Sequence, residues 1–420
     1  MPSTSQGTIL TFEDARRIVE QHASNLKPRG RELLGLLDAC GRALAEPIQA
    51  DRDFPPFPRA TRDGYALQAA DIQSTPAILD VVGEVKAGAA TAELPRLVSQ
   101  QAIAIMTGAP VPDGADAVVM LEHTSRQRDK VEIKKRVSAG ENIVPAGSEA
   151  KKGELMLSPG TRLDYSAIAV AASVGRSRLV VHAKPRIALL STGDEVVDVD
   201  VSPAPNQIRN SNSYSLAAQI QDAGGDPILL PIAPDEPRRL GELLKEGLDC
   251  HLLLIAGGVS MGKYDLVEQV LAELKAEFFF TGAQIQPGKP IVFGRVPPGV
   301  SREDEHKHHK YFFGLPGNPI STMVTFELFA RPMVEALAGV VPKPLTFTHA
   351  KLKKAIQTKT GLKRFLPAHL SGEFEQAEVE LVRWQGSGDL AAVTRSNCFA
   401  VVPPDRERIE AGEWVPVMFR

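Results

Sequence analysis

The chain has 420 residues, of which 43% are hydrophobic and 24% are charged, a balance that is typical of globular proteins. A chain of this length predicts two to four domains rather than one. Its formal net charge of −3 argues against a nucleic-acid-binding protein, and no polybasic segment favours an anionic membrane surface.

The three cysteines, Cys40, Cys250 and Cys398, are scattered and form no CxxC pair. They predict neither a disulfide framework nor a thiolate metal site, which fits a reducing compartment. The N-terminal segment lacks the apolar stretch of a signal peptide, and no run of residues approaches the ~20 apolar positions of a membrane span. We therefore expect a soluble, cytoplasmic protein.

The first part of the chain predicts a helix, a β-rich module and a second helix. Thr11 precedes FEDARRIVEQHA, whose apolar residues recur at the helical period, so a capped helix is predicted. A proline-rich connector then leads to short β-type runs separated by Gly, Pro and Asp turns, which predict a small all-β module over about 64–150. These runs are ILDVVGEV, AIAIM, AVVML and KVEIKKRV. LDYSAIAVAASVG (163–175) predicts the second helix.

Strands and helices then alternate as far as about residue 342. The predicted strands are RIALLS, PILLPIA, HLLLIA, KPIVFGRV and YFFGL, and the predicted helices are SNSYSLAAQIQDAGG, EPRRLGELLKEGL, DLVEQVLAELKAE and ISTMVTFELFARPMVEAL. This alternation predicts βαβ crossovers and a doubly wound, mostly parallel sheet. From about 343 the runs FLPAHL, EVELVRW, LAAVTR and EWVPVMF predict β structure.

The charged tract REDEHKHHK (302–310) lies between two predicted strands and holds three histidines. It is open to two interpretations, a solvated hairpin loop and a metal site. We favour the loop, because a metal site needs a fixed geometry that a charged loop rarely supplies.

Small polar turns follow four of the predicted strands. They are TGDE (192–195), PDEP with Asp235, GGVSMGKYD (257–265) and PGNPIS (316–321). In an open parallel sheet, ligands bind outside the carboxyl ends of the strands. Glycines let the backbone approach a phosphate, and carboxylates beside an anion suit a bridging Mg²⁺. The four turns together predict an anion-plus-metal pocket.

Each of these residues also has a purely structural explanation. Gly257, Gly258 and Gly314 are suited to turns, Asp235 and Asp265 to helix N-caps, Glu195 to a solvated turn, and Ser260 and Asn318 to closing their turns. Neither a P-loop nor a GxGxxG fingerprint is present, so a plain nucleotide hydrolase is not indicated. The hypothesis depends on four such turns meeting at one sheet edge.

Lys289 lies in IQPGKP (285–290), a turn with two prolines and a glycine. A surface lysine with a buried stem would explain it. The alternative is a lysine held in one direction as an oxyanion ligand.

Six motifs in this order resemble the molybdopterin molybdenumtransferases, the family that inserts molybdate into molybdopterin and to which the C-terminal part of gephyrin is related. The matching segments are TRDGYA, MTGAPVPDGADAVV, STGDE, AGGVSMGKYD, PGKP and GLPGNPIS, and they extend over nearly the whole chain.

The resemblance implies a multidomain α/β plus β homodimer with four domains. These would be an N-terminal domain (1–50 and 154–180), an inserted β domain (51–153), an α/β domain (181–342) and a C-terminal β-barrel-like domain (343–420). It implies a Mg²⁺-dependent reaction in which adenylylated molybdopterin and molybdate enter, and molybdenum cofactor and AMP leave. The adenylylating enzyme of the same pathway is a further expected partner, while nucleic acid and membrane are not.

The resemblance also implies roles for individual residues. The expected catalytic residues are Asp63, Thr107, Glu195, Asp235, Asp265 and Lys289. Glu195 and Asp265 are expected on Mg²⁺, Lys289 and Ser387 on molybdate, and Asp63 and Thr107 in the partner subunit's pocket. The expected substrate-binding residues are Gly257, Gly258, Ser260, Pro316, Gly317, Asn318, Pro319, Ser321 and Ser387. Without the resemblance, Asp63, Thr107 and Ser387 would be interpreted as turn residues.

The chain departs from the family pattern at four positions. Gln286 stands where many relatives have lysine, and Glu149 where aspartate is common. Leu362 and Pro367 occupy positions of two family arginines, which Lys363 or Arg364 would compensate unless they are plain surface charges. These departures predict a weaker or differently tuned oxyanion site and leave the choice between molybdate and tungstate open.

Two other hypotheses remain at this point. A non-catalytic scaffold would have no need of Glu195, Asp235, Asp265 and Lys289. A hydrolase of another nucleotide would leave Asp63 and Thr107, outside the α/β segment, without a role.

Overall fold

The computed structural model describes residues 8–258, 266–299, 309–373 and 376–420. The chain forms two compact units, a larger one of Met1–Ala45, Pro159–Asp164 and Arg178–Arg420, and a smaller one of Glu46–Ser158 and Tyr165–Ser177. The prediction of a multidomain α/β plus β chain is confirmed. The four domain boundaries stay a prediction.

The smaller unit contains a six-stranded sheet, in which the four predicted runs are strands. In sheet order the strands are Ala117–Met120, Gly64–Leu67, Gln101–Ile105, Ala77–Val85, Lys130–Ile133 and Thr124–Gln127. Shorter strands are Ile48–Gln49, Arg59–Ala60, Ile143–Val144 and Leu155–Leu157, and the predicted second helix is Tyr165–Ser173. Apolar side chains of the sheet, such as Leu67, Leu79 and Val119, form the core of this unit.

The larger unit is built on a second six-stranded sheet. In sheet order its strands are Asp226–Leu229, Arg186–Ser191, Leu252–Ala256, Lys310–Leu315, Val292–Val296 and Glu277–Phe280. The first four are parallel to one another, and only Val292–Val296 runs against its neighbours. The predicted mostly parallel sheet is therefore observed.

Helices cover both faces of this sheet, because alternate residues of each strand face opposite cores. Ile187 and Leu189 belong to one core, with the helices Phe12–Ser24, Ser211–Asp222 and the helical segment Pro319–Leu337. Ala188 and Leu190 belong to the other, with the helices Pro237–Leu248 and Leu266–Glu273. Within Pro319–Leu337, Phe326–Ala330 is a π-helical turn.

The strand register brings the polar turns to one level. Ser191 pairs with Ala256, and Ala256 pairs with Leu315. The three strands therefore end side by side, and the turns that follow them begin at the same edge of the sheet.

The C-terminal part of the larger unit is a closed five-stranded barrel. Its strands, in order, are Lys363–Ser371, Glu378–Leu381, Thr348–Leu352, Trp414–Phe419 and Cys398–Val402, and the last pairs with the first. Ile285–Gln286 joins this sheet by parallel pairing with Lys363 and Arg364. The turn that carries Lys289 is thus attached to the barrel.

One predicted element is wrong. LAAVTR was expected to be β structure, but Leu390–Thr394 is an α-helix. Asp389 caps it, since Asp389 Oδ1 accepts a hydrogen bond from the backbone N of Ala392 at 3.1 Å. An apolar run of five residues is too short for its periodicity to distinguish a helix from a strand. The Asp389 carboxylate at the N-cap stabilises the helix.

The remaining short strands of the larger unit are Ile9–Leu10, Arg31–Gly35, Arg178–His182, Val196–Val197, Ile208–Arg209, Gly282–Ala283, Ile356–Gln357 and Arg408–Ile409. Most of the histidine tract, 302–308, lies outside the described residues. Within the described ranges, no helix combines the length and apolarity needed to cross a membrane.

Candidate functional site

A cavity of about 1180 Å³ opens at the edge of the sheet where the three strands end together. It brings together most of the predicted site residues of the larger unit. Those that line it are Glu195, Asp235, Gly257, Gly258, Lys289, Pro316, Gly317, Asn318, Pro319, Ser321 and Ser387. Ser260 and Asp265 lie outside the described residues.

The turn after Leu252–Ala256 is confined by its neighbours. Gly258 has a φ of +66°, and a Cβ there would lie 2.6 Å from Thr192 Oγ1 and 2.7 Å from Val267 Cγ2. Gly257 donates its backbone N–H to Leu315 O at 3.1 Å. Glycine is therefore needed for the turn itself, and its lack of a side chain also leaves the backbone open to a ligand.

Three carboxylates lie near one another, and two of them, those of Glu195 and Asp235, line the cavity. The backbone N of Asp235 donates a hydrogen bond to Asp194 Oδ1 at 3.1 Å. Burial, and next the charges of Asp194 and Glu195, raise the pKa of Asp235. The helix Pro237–Leu248 has its N-cap at Glu236, so capping does not explain Asp235. Mutual repulsion at this place favours a bound cation.

The carboxylates fit a shared cation better than a complete protein cage. Among the described residues, no three His, Cys, Asp or Glu side chains are arranged to hold a metal ion by themselves. Mg²⁺ is usually bound through one or two carboxylates together with phosphate oxygens and water. Glu195 and Asp235 suit that arrangement.

The turn of Lys289 is rigid. Lys289 O accepts backbone hydrogen bonds from Ala283 at 3.0 Å and from Ile291 at 3.1 Å. Gly288 has a φ of +102°, and a Cβ there would lie 2.4 Å from Thr325 Cγ2. The Lys289 side chain is exposed on the cavity lining and has no carboxylate partner within the described part of the chain. A free cation on a fixed backbone is suited to an oxyanion.

Asn318 and Ser387 join the sheet edge to the C-terminal part. Asn318 Nδ2 donates a hydrogen bond to Ser387 Oγ at 2.9 Å, and the backbone N of Ile320 donates to Ser387 O at 2.9 Å. Asn318 is the N-cap residue of Pro319–Thr325 but makes no side-chain capping bond. Its side-chain amide therefore contacts Ser387, a residue of the cavity lining, and does not cap the helix.

Comparison with known proteins agrees with this architecture. Three family models match in order: the MoeA N-terminal region (domain I and II) over residues 10–175, the probable molybdopterin binding domain over 188–336, and the MoeA C-terminal region (domain IV) over 349–419. A molybdopterin molybdenumtransferase from Nostoc sp. is 32% identical over 92% of this chain and 88% of its own length. The chain belongs to the molybdopterin molybdenumtransferase family. It is a transferase that belongs to molybdenum cofactor biosynthesis.

Two further relatives span nearly the same length. The molybdopterin molybdenumtransferase of Bacillus subtilis is 31% identical over 92% of this chain and 89% of its own. The crystal structure of the molybdopterin biosynthesis moeA protein from Pyrococcus horikoshii OT3 has a TM-score of 0.76 at 27% identity, over 98% of this chain and 100% of that one. The family therefore extends over both compact units.

Two of the four departures from the molybdenumtransferase pattern are on the cavity lining, namely Gln286 and Leu362. Pro367 is buried in a barrel strand, where it pairs with Phe399. Glu149, in the smaller unit, forms an ion pair with Arg59 at 2.7 Å. The cavity thus holds a neutral amide and an apolar side chain at two positions where the resemblance led us to expect cations.

The neighbouring cations of the barrel are committed to other partners. Lys363 forms an ion pair with Glu13, and its Nζ lies 4.6 Å from the centre of the Phe12 ring. Arg364 is buried and donates to Leu362 O at 3.0 Å. Burial lowers the pKa of Arg364. Neither side chain is among those that line the cavity.

The smaller unit holds Asp63 and Thr107. Asp63 Oδ1 accepts hydrogen bonds from the backbone N of Thr107 at 2.6 Å and from Thr107 Oγ1 at 2.8 Å. These bonds lower the pKa of Asp63, because they stabilise its ionised form. The pair expected from the family motifs is therefore in direct contact, and both residues are exposed.

The predicted site residues left out several polar residues of the cavity, among them Arg209 and Asn212, and also Thr192, although its turn TGDE was assigned to the pocket. Arg209 is an exposed cation, and Asn212 Nδ2 donates to Gly317 O at 2.7 Å. Thr192 is 5% exposed, and its Oγ1 has no hydrogen-bond partner within the described ranges. The signal for Arg209 and Asn212 was IRNSN, at the start of a predicted helix, where backbone N–H groups favour anions.

Proposed function

We propose that the chain inserts molybdate into adenylylated molybdopterin and releases AMP. The observation that carries this proposal is one cavity lined by the carboxylates of Glu195 and Asp235, the glycine turn Gly257–Gly258, Ser387 and Lys289. Ser387 is held by Asn318, and Lys289 has no ion-pair partner among the described residues. In the reaction water cleaves the phosphoanhydride of the substrate and AMP leaves, while the two dithiolene thiols bind molybdenum and one molybdate oxygen departs with their protons as water. An adenylylating enzyme of the same pathway would supply the substrate.

The phosphoanhydride suits the sheet edge. The N-terminus of the helix Ser211–Asp222 provides N–H donors and positive partial charge, and the glycine turns let a phosphate approach the backbone closely. Arg209 adds a full positive charge on the same lining. Holding the anhydride in one geometry lowers the entropic part of the barrier to cleavage.

Mg²⁺ would be held by Glu195 and Asp235 together with substrate oxygens, and Asp265 is a further ligand expected from the sequence. When bound, it would spread the negative charge that develops as the anhydride is cleaved. The raised pKa of Asp235 supports this assignment, because crowded carboxylates are stabilised by a cation.

Molybdate suits the lining that Lys289 and Ser387 provide. Molybdate is a tetrahedral dianion that only accepts hydrogen bonds from the protein, and an ammonium group and a hydroxyl are both donors. Because Gln286 and Leu362 add no charge, Lys289 would carry most of the attraction. We propose that Asp63 and Thr107 complete the cavity of a partner subunit in a homodimer.

The test is AMP release from adenylylated molybdopterin with Mg²⁺, with and without molybdate. Wild type would be compared with Lys289→Ala, Glu195→Gln and Asp265→Asn. Matched controls are Lys359→Ala and Glu246→Gln, both exposed and outside the cavity lining. We expect molybdate-dependent release that Lys289→Ala reduces at least tenfold and that chelation of Mg²⁺ abolishes. AMP release at the same rate with and without molybdate, or no AMP release at all, would contradict the proposal.

A further inference from the structure

Asn318 contacts Ser387 in a way that helix capping does not explain. An asparagine at an N-cap usually accepts a hydrogen bond from a backbone N–H of the first turn. Asn318 makes no such bond; its Nδ2 donates to Ser387 Oγ at 2.9 Å. The backbone N of Thr322 still donates to Asn318 O at 3.0 Å, so the helix start does not depend on the side chain.

This hydrogen bond makes the Ser387 hydroxyl an acceptor towards Asn318 and leaves its proton for another partner. A serine hydroxyl has one proton and two lone pairs, whereas an amide NH₂ can only donate. Ser387 Oγ is therefore the acceptor from Asn318, and its own proton must point elsewhere. Among the described residues no acceptor takes that proton. Because Ser387 lines the cavity, the O–H is left for an oxygen atom of a ligand.

The backbone of Ser387 is held as well. Ser387 O accepts the N–H of Ile320 at 2.9 Å, two residues from Asn318. Both the position and the orientation of the hydroxyl are thus set by the turn that follows the strand Lys310–Leu315. An oxyanion gains most from donors whose orientation is set before it binds.

We propose that Asn318 is a positioning residue that presents the Ser387 hydroxyl as a donor to the oxyanion. The inference rests on the proposed function and assigns Asn318 a part in molybdate affinity rather than direct contact with the organic substrate. The Ser387 hydroxyl should contribute strongly to molybdate affinity in this chain, because Gln286 and Leu362 add no cation to the cavity lining.

Asn318→Asp is the sharpest variant, because a carboxylate has nearly the same shape but only accepts. It would draw the Ser387 proton towards residue 318 and turn a lone pair towards the oxyanion. The added negative charge also repels molybdate, so the same substitution is made in the Ser387→Ala background, where only the charge acts. Non-additivity between the two sites then measures the effect of the hydroxyl.

The measurement is equilibrium dialysis of the full chain against sodium molybdate, with bound molybdenum determined by elemental analysis. We expect Ser387→Ala to weaken binding roughly 10- to 100-fold, as the loss of one hydrogen bond to a charged group would. Asn318→Asp should weaken binding at least tenfold more when Ser387 is intact than in the Ser387→Ala background. Asn318→Ala, which frees the hydroxyl to rotate, should weaken binding several-fold and only when Ser387 is present.

A second readout separates positioning from damage to the cavity. For AMP, Asn318→Asp should change the affinity by the same factor with and without Ser387, in variants that retain the wild-type circular dichroism spectrum, because only the added charge acts on the AMP phosphate. Equal losses of molybdate binding from Asn318→Asp in both backgrounds, or the same non-additivity for AMP as for molybdate, would overturn the positioning role alone. A wild-type chain that binds no molybdate would overturn the proposed function and this inference with it.

Discussion

Asp194 accepts a hydrogen bond from the backbone N of Asp235 at 3.1 Å, although the charge of the same carboxylate raises the pKa of Asp235. The two effects come from different atoms of Asp235. The hydrogen bond orders the turn, while the nearby charge makes the Asp235 carboxylate harder to ionise. Exchanging the charge of Asp194 for a neutral amide separates them.

Asp194→Asn should therefore lower the pKa of Asp235, because the amide oxygen still accepts the backbone hydrogen bond while the repelling charge is gone. Activity that needs ionised Asp235 falls as the pH drops through its pKa, so the acid limb of the pH profile of AMP release should move to lower pH. Measuring the initial rate between pH 4 and 8 checks this. An acid limb that stays in place would show that burial and the charge of Glu195, rather than the charge of Asp194, raise the pKa of Asp235.

Much of the fold could be predicted because its signals are local. A buried strand such as Leu252–Ala256 is a continuous apolar run, and the glycines after it mark where it ends. Since parallel strands end at one edge, the position of Glu195, Asp235 and Asn318 on one cavity followed from the alternation of strands and helices.

The contacts that organise the cavity were not predictable in this way. Asn318 and Ser387 are 69 positions apart, and no periodicity relates them. The helix Leu390–Thr394 was mistaken for β structure because five residues are too few to distinguish the two periods. In the sequence, Asp389 indicated a helix start, because aspartate often caps helices. The structure shows its capping bond to Ala392.

Asp389→Ala should destabilise the segment that carries Ser387. Asp389 accepts backbone hydrogen bonds from Ala392 and from Gln385, each at 3.1 Å. Loss of an N-cap costs about 1 kcal/mol, and the freed loop should also bind molybdate less tightly. Urea unfolding and dialysis against molybdate measure the two effects. Asp389→Asn, which keeps a good capping residue, should lose less of both; equal losses would contradict the capping explanation.

Gly288→Ala should displace Lys289. An alanine at a φ of +102° is strained by about 1–3 kcal/mol, and its Cβ would also collide with Thr325 Cγ2. We expect lower stability and weaker molybdate binding. Gly412→Ala is the matched control, because Gly412 has a φ of +87° with no atom within 4 Å of the added Cβ and lies outside the cavity lining. It should lose stability but keep its molybdate affinity; unchanged molybdate affinity in Gly288→Ala would contradict the prediction.

The larger unit should lose stability below about pH 6.5 because of His22. Its ring stacks on Phe279 with 4.1 Å between ring centres, and burial, followed by the charge of Arg295, lowers its pKa. The unfolded chain binds a proton near the ordinary histidine pKa of about 6.5, while the folded chain resists it, so the free energy of unfolding falls as the pH drops through this range.

Urea unfolding followed by the fluorescence of Trp384 and Trp414, both in the larger unit, measures this loss. His22→Phe should reduce the dependence on pH between 7.5 and 5. Part of the dependence should remain, since the pKa values of His182 and His251 are also lowered by burial. An unchanged slope in His22→Phe would rule out His22 as a source.

Leu362→Arg should strengthen molybdate binding by adding a cation to the cavity lining. One added charge near a dianion contributes about 1 kcal/mol or more even in a watery environment, which corresponds to at least about fivefold tighter binding. The gain should shrink as salt is raised, because exposed charges are screened. Leu362→Gln, polar but uncharged, is the control and should bind molybdate no more tightly than wild type. If the glutamine variant gains as much as the arginine variant, the apolar surface of Leu362 rather than its missing charge limits the affinity.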